Sequence, residues 1–226
     1  WDEKILWITN LFGKKNKKSL IVESSIYDSQ VTGLKALAKK IFLSGISKVY
    51  ASGSSQVSLL HALSYKGIIL KTKGVGLFNI QPQPHYVKRE RIVNFLYVGR
   101  LSKEKNLANL IDVFNKHPYL VLNIIGFGPD EENLKTIAKE NTIFHGPINN
   151  IELFKYYQKY DVFILPSLKE PWGLVIEEAL NNGMPVIVSE KVGCSAEIII
   201  NDFNGLIFNL EDPNSLIVSV KKMTDK

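Results

Sequence analysis

Apolar residues gather into short runs, and between them lie longer segments in which apolar positions recur every three or four residues. This is the alternation of strands with amphipathic helices. In the first part of the chain, "KILWIT", "LIVES", "KVYAS" and "GIILK" read as strands, with helices over residues 30–43 and 54–65. The stretch 74–91, "GVGLFNIQPQPHYVKRER", loses periodicity and carries two Gln-Pro pairs, so it reads as an interdomain linker. From Ile92 the rhythm is regular. The strands "IVNFLYVG", "YLVLNIIG", "TIFHG", "DVFILPS", "PVIVS" and "GLIFN" alternate with helices beginning near Asn106, Asp130, Asn149, Gly173, Ser195 and Pro213. Near-continuous apolar strands require cover on both faces. The expected fold is therefore α/β, with a doubly wound parallel sheet over residues 91–226 and a partial second α/β domain over residues 1–90. In such sheets ligands bind beyond the carboxyl ends of the strands.

A length of 226 residues with 45% hydrophobic content accommodates one complete core and a smaller one. The single cysteine, Cys194, excludes an internal disulfide and a cysteine-only zinc site, which fits a reducing, cytoplasmic compartment. No apolar run reaches the ~20 residues that span a bilayer. The chain opens on Trp1 and stops at Lys226 inside an amphipathic pattern, and so reads as a piece of a longer protein. Its net charge of +6 is uneven: 14 Lys and Arg face 5 Asp and Glu up to Glu90, and 14 face 17 afterwards. A basic first part suits an anionic membrane surface or a polyanionic acceptor. Nucleic acid is not the expected partner, since zinc-finger spacing, an aromatic RNA-binding signature and a reader helix are all missing.

Four strand ends carry candidate chemistry. After "FLYVG", Gly99 allows close backbone approach, and Arg100 and Lys105 project from a strand-to-helix loop. They read as two cations gripping one polyanion, or as solvated charges beside a helix capped by Asn106. After "LNIIG", Gly126 and Gly128 imitate the start of a dinucleotide fingerprint, but Glu131 stands where its third glycine belongs. A tight turn before a helix capped by Asp130 is the expectation there. The third strand end is "LPSLKEPWGLVIEEALNNG". Its helix tip at Gly173, Leu174 and Val175 offers unpartnered N–H groups to a phosphate. Glu170 and Glu178 can accept hydrogen bonds from a vicinal diol, or Glu177 and Glu178 can simply complement the helix dipole. In the fourth, "SEKVGCSAEIIINDFNG", Cys194 reads as a small core residue rather than a nucleophile, because no histidine lies near it in sequence.

"VGRLSKEKN", "IIGFGPDEENL", "FHGPIN", "YYQKYDVFILPS", "EPWGLVIEEALNNGMPVI" and "VGCSAEIIINDFNGLIF" occur in the order and spacing of one family. Over residues 92–212 the chain resembles the nucleotide-sugar-binding domain of glycosyltransferase family 4, which has the GT-B fold. Residues 1–90 resemble the last strands and helices of the acceptor-side domain. The resemblance implies transfer of a sugar from a nucleotide-diphosphate donor to an acceptor hydroxyl with retention of configuration. It implies that Arg100 and Lys105 hold the diphosphate, Gly173, Leu174 and Val175 the distal phosphate, Glu178 the ribose and Glu170 the transferred sugar. Gly126, Pro147 and Ile148 would border the base, and Gly99 would bind the donor through close backbone approach. No metal and no cofactor beyond the donor is expected, since an Asp-x-Asp motif is missing. The implied partners are a nucleotide sugar and a glycan or lipid-linked acceptor.

Three departures stand out. The order Glu170-Pro171-Trp172-Gly173 is familiar in branches that build bacterial surface polysaccharide. "GCSAE" replaces the commoner Gly-Gly-x-Pro-Glu, and His61, His85, His117 and His145 match no acceptor-side histidine motif. A GT-B nucleotide-sugar epimerase and a non-catalytic nucleotide-binding module are the alternative readings. In "VTGLKALAKKIFLSG", Leu34, Leu37, Ala38 and Ile41 share one face, apart from Lys35, Lys39 and Lys40. That face reads as packed on its own sheet, or as a peripheral contact with the inner face of a membrane. The tract "KKNKK" reads as an exposed loop.

Overall fold

The computed structural model describes residues 4–74, 76 and 89–224; most of the stretch read as a linker lies outside the described residues. The chain divides into two units, Trp1–Val75 with Glu170–Trp172, and Gly76–Lys169 with Gly173–Lys226.

In the first unit three parallel strands, β1 (Ser19–Val22), β2 (Lys48–Ala51) and β3 (Ile68–Lys71), pair in that order. The helices are α1 (Lys4–Phe12), α2 (Gly33–Ser44) and α3 (Ser54–Ala62). Two expectations fail here. "KILWIT" is not a strand but the first turns of α1. Short apolar runs suit either period, and spacing three apart puts Trp7 and Asn10 on the packed face. The Trp7 ring meets Phe42 edge-on at 5.1 Å, and the Asn10 amide donates to the Phe42 carbonyl at 2.6 Å. On α2 the buried face consists of Ala36, Phe42 and Leu43, whereas Leu34, Leu37 and Ile41 are exposed. Apolar residues surround most of that helix, and the stripe that joins the core with Val22, Val49 and Ala51 is that of Ala36, Phe42 and Leu43.

The second unit contains six parallel strands: β4 (Asn94–Val98), β5 (Val121–Ile125), β6 (Thr142–Gly146), β7 (Val162–Leu165), β8 (Val186–Ser189) and β9 (Gly205–Phe208), in the order β6-β5-β4-β7-β8-β9. Between and after them lie α4 (Leu107–Asn115), α5 (Glu131–Ile137), α6 (Leu153–Lys159), α7 (Leu174–Asn181), α8 (Ser195–Ile198) and α9 (Ser215–Thr224). Every residue of β7 and β8 is buried, as strands covered on both faces must be. The strand order reverses between β4 and β7, so the carboxyl ends of these two strands flank the crevice at which such sheets bind ligands. No described helix is long and apolar enough to cross a membrane.

The entry into this sheet is pinned by one carboxylate. Asp161, 6% exposed, accepts from the backbone N–H groups of Val93 at 3.0 Å and Asn94 at 2.8 Å, and its other oxygen lies 3.3 Å from Arg89 Nε. Asp161→Ala leaves two part-buried backbone donors and a guanidinium without this acceptor, so a stability loss of about 3 kcal/mol is expected. The check is urea denaturation, and an unshifted midpoint would refute the assignment.

Candidate functional site

On the β4 side of the crevice the ends of β4, β5 and β6 are stitched through backbone. Gly99 N–H donates to the Ile125 carbonyl at 3.0 Å, Leu101 N–H to Phe127 at 3.0 Å, and Gly126 N–H to Gly146 at 2.9 Å. Such closeness leaves no room for side chains. A Cβ on Gly126, where φ is +137°, would stand 1.9 Å from the Gly99 carbonyl oxygen, and one on Gly128 would stand 2.2 Å from that of Leu101. The Gly-Phe-Gly sequence is therefore explained by the approach of two loops. The turn expected there is present, with Glu131 N–H donating to Gly128 O at 3.2 Å, but the Asp130 side chain makes no cap bond. Asn106 likewise precedes α4 in the left-handed region, at φ 58°, without a side-chain cap. Local backbone geometry has replaced the expected capping in both places.

Above this glycine floor opens a cavity of ≈ 680 Å³. Its wall includes Gly99, Arg100, Gly126, Pro147 and Ile148, all candidates from the sequence, together with Phe127 and Glu131. The Arg100 backbone is held by the Tyr97 hydroxyl, which donates to its carbonyl at 2.8 Å, and the residue as a whole is exposed. Lys105, Gly173, Leu174, Val175 and Glu178 lie outside the cavity lining.

Lys105 closes a short 3-10 turn, Lys103–Lys105, and its N–H donates to Ser102 O at 2.9 Å. The Ser102 hydroxyl donates to Glu104 Oε1 at 2.7 Å, and this bond, followed by the Glu104 N–H and the charges of Lys105 and Arg100, holds the Glu104 carboxyl below its usual range. The Glu104 carbonyl in turn accepts from Leu168 N–H at 2.8 Å, tying the loop after β4 to the loop after β7. Glu104 thus sets the Lys105 turn. Its acidic type, in a run of basic residues, hides that role from sequence reading.

Gly173 leads into α7 in the left-handed region, at φ +98°. Leu174 and Val175 form the first turn, and Glu178 is buried one turn further on, 6% exposed. Glu178 Oε2 accepts from the Tyr157 hydroxyl at 2.9 Å. Burial, then the neighbouring carboxylate, pushes the Tyr157 phenol well above its usual range, so it remains a donor. Glu170, half-buried, is grouped with the first unit, in which the buried Gln56 amide donates to the Pro171 carbonyl at 2.8 Å. Cys194 is buried, with Sγ 3.8 Å from the Gly173 carbonyl. Among the described residues no three His, Cys, Asp or Glu side chains cluster as a metal site.

The family model described as glycosyl transferases group 1 matches residues 82–226. A 41.2 kDa uncharacterized protein of the cps region of Klebsiella pneumoniae is 37% identical over 134 residues, covering 58% of this chain and 36% of that protein. The O-antigen biosynthesis glycosyltransferase WbnH of Escherichia coli is 34% identical over 148 residues, covering 64% and 42%. The matches thus span well under half the length of these curated relatives. The solved structure of Anabaena Alr3699/HepE, in complex with UDP and glucose, superposes with a TM-score of 0.72 at 16% identity, over 98% of this chain and 68% of that one. At that identity the likeness concerns the fold alone.

Proposed function

Because the chain belongs to the glycosyl transferases group 1 family and has the GT-B architecture, we propose that it is the donor-binding part of a retaining glycosyltransferase. The donor is a nucleotide-diphosphate sugar and the acceptor a hydroxyl of a glycan or lipid-linked glycan. The observation that carries this reading is the glycine-floored cavity over the carboxyl ends of β4, β5 and β6, on one side of the strand-order reversal, with the Arg100 loop on its wall. A flat apolar ring can lie against the backbone at Gly99, Gly126, Pro147 and Ile148. The diphosphate then points toward cations.

Arg100 and Lys105 neutralise the charge that grows on the leaving diphosphate as the glycosidic bond breaks, so no metal or other cofactor is required. The first N–H groups of α7, at Gly173, Leu174 and Val175, receive the distal phosphate. Glu178 accepts from the ribose hydroxyls, and Glu170 from the hydroxyls of the transferred sugar. WbnH and the cps-region protein favour a role in bacterial surface polysaccharide. The proposal includes a cytoplasmic reaction at the inner face of the membrane.

Calorimetry with UDP, GDP and ADP, with and without EDTA, tests the reading. One nucleoside diphosphate is expected to bind, with equal affinity in chelator; binding of none, or binding abolished by EDTA, overturns it. Glu178→Ala is further expected to erase most of the preference for that ribonucleotide over its 2′-deoxy form. The loss should be about tenfold, the scale of one hydrogen bond to a charged group.

A further inference from the structure

The geometry points to Tyr157 as a positioning residue for ribose recognition, acting through the carboxylate of Glu178. This inference rests on the proposed role of Glu178 and adds a residue that no motif in the sequence singles out. Tyr157 is 1% exposed, and a buried phenol requires a partner for its O–H. That partner is Glu178 Oε2, at 2.9 Å. The ring itself is held by β7, where Phe163 packs against it with centroids 6.0 Å apart. From the other side Asn182 fixes the Glu178 backbone, its side-chain amide donating to the Glu178 carbonyl at 2.8 Å. Backbone and carboxylate are therefore both set before any ligand arrives.

A second observation links the same tyrosine to the cavity. Leu153 forms part of the cavity wall, and Tyr157 lies four residues later on α6, one turn along the same helical face. One face of this short helix thus borders the space proposed for the base and also holds the residue proposed for the ribose. The distance between the two is set by the helical rise. A glutamate has three rotatable side-chain bonds, and ordering it in advance removes a cost that a ribose would otherwise meet on binding.

The test is a double-mutant cycle on the ribo-versus-deoxyribo preference, measured by calorimetry with UDP, GDP, ADP and their 2′-deoxy counterparts. Tyr157→Phe removes only the hydroxyl and is expected to lower the preference about five- to tenfold, less than the full loss of a charge-assisted hydrogen bond because the phenol acts through the carboxylate. Combined with Glu178→Ala, it should add nothing to the loss caused by Glu178→Ala alone. Glu178→Asp, which keeps the charge but withdraws the acceptor from the phenol, should lose the preference as well and provides the readout should Tyr157→Phe fail to melt cooperatively. Tyr156→Phe, which alters a neighbouring ring that faces His145, should change nothing. Full preference retained in Tyr157→Phe or in Glu178→Asp, or an additive double mutant, overturns the role of Tyr157 while leaving Glu178 on the ribose. Full preference retained in Glu178→Ala removes Glu178 from the ribose, and this inference falls with it.

Discussion

Alanine at Arg100 or at Lys105 is expected to slow sugar transfer by about 10²- to 10³-fold, the range seen when one preorganised stabiliser of transition-state charge is removed. Nucleoside diphosphate binding should weaken in both variants, less steeply than the rate, because in the proposed reaction charge accumulates on the diphosphate as its bond to the sugar breaks. The two residues should differ in salt dependence. Arg100 is exposed on the cavity wall, so part of its attraction is screened, whereas Lys105 is half-buried in a turn braced by Ser102 and Glu104. Raising ionic strength should therefore weaken binding more in Lys105→Ala, which retains Arg100, than in Arg100→Ala. Arg100→Lys should recover only part of the loss, since an ammonium cannot reproduce the bidentate grip of a guanidinium on phosphate. Calorimetry and a radiolabelled-sugar transfer assay measure both quantities. Affinity and rate within twofold of the parent in both alanine variants would remove the cations from the diphosphate.

The regular half of the chain was the legible half. Its strands are short apolar runs because both faces are covered, and its glycines and charged residues fall at strand ends because that is where loops turn and ligands approach. What stayed hidden depends on partners distant in sequence. "KILWIT" suits a helix or a strand until Phe42 supplies the neighbour for Trp7 and Asn10. The packed stripe of α2 cannot be chosen among apolar residues that nearly encircle it. Asn106 and Asp130 have the right chemistry for capping, yet neither side chain makes a cap bond. At the site, Arg100 and Gly126 were visible through their loops, whereas Phe127 and Glu131 were not, because a cavity wall has no sequence period. Tyr157 looked like one aromatic among several in "YYQKY"; only its 2.9 Å bond to Glu178 distinguishes it.

Gly126→Ala is expected to damage fold and site together, at a cost of about 2–4 kcal/mol from overpacking and a strained backbone. The added methyl would stand 1.9 Å from the Gly99 carbonyl oxygen, well inside the 3.4–4 Å of ordinary contact. That oxygen belongs to backbone, so it cannot swing aside. Relief requires the end of β5 to separate from the end of β4, against the Gly99–Ile125 and Leu101–Phe127 hydrogen bonds. The pairing of β5 with β6 is already irregular between Ile124 and Ile125, which directs the displacement toward that side and into the cavity wall. Gly146 supplies the control. It too has positive φ, at +69°, but a Cβ there meets nothing within 4 Å. Gly146→Ala should therefore carry only the conformational cost, about 1 kcal/mol, and keep most of the nucleotide affinity. Urea denaturation and calorimetry on both variants separate backbone strain from overlap. If Gly126→Ala binds nucleotide as tightly as Gly146→Ala does, the close approach of the two loops is not what shapes the cavity.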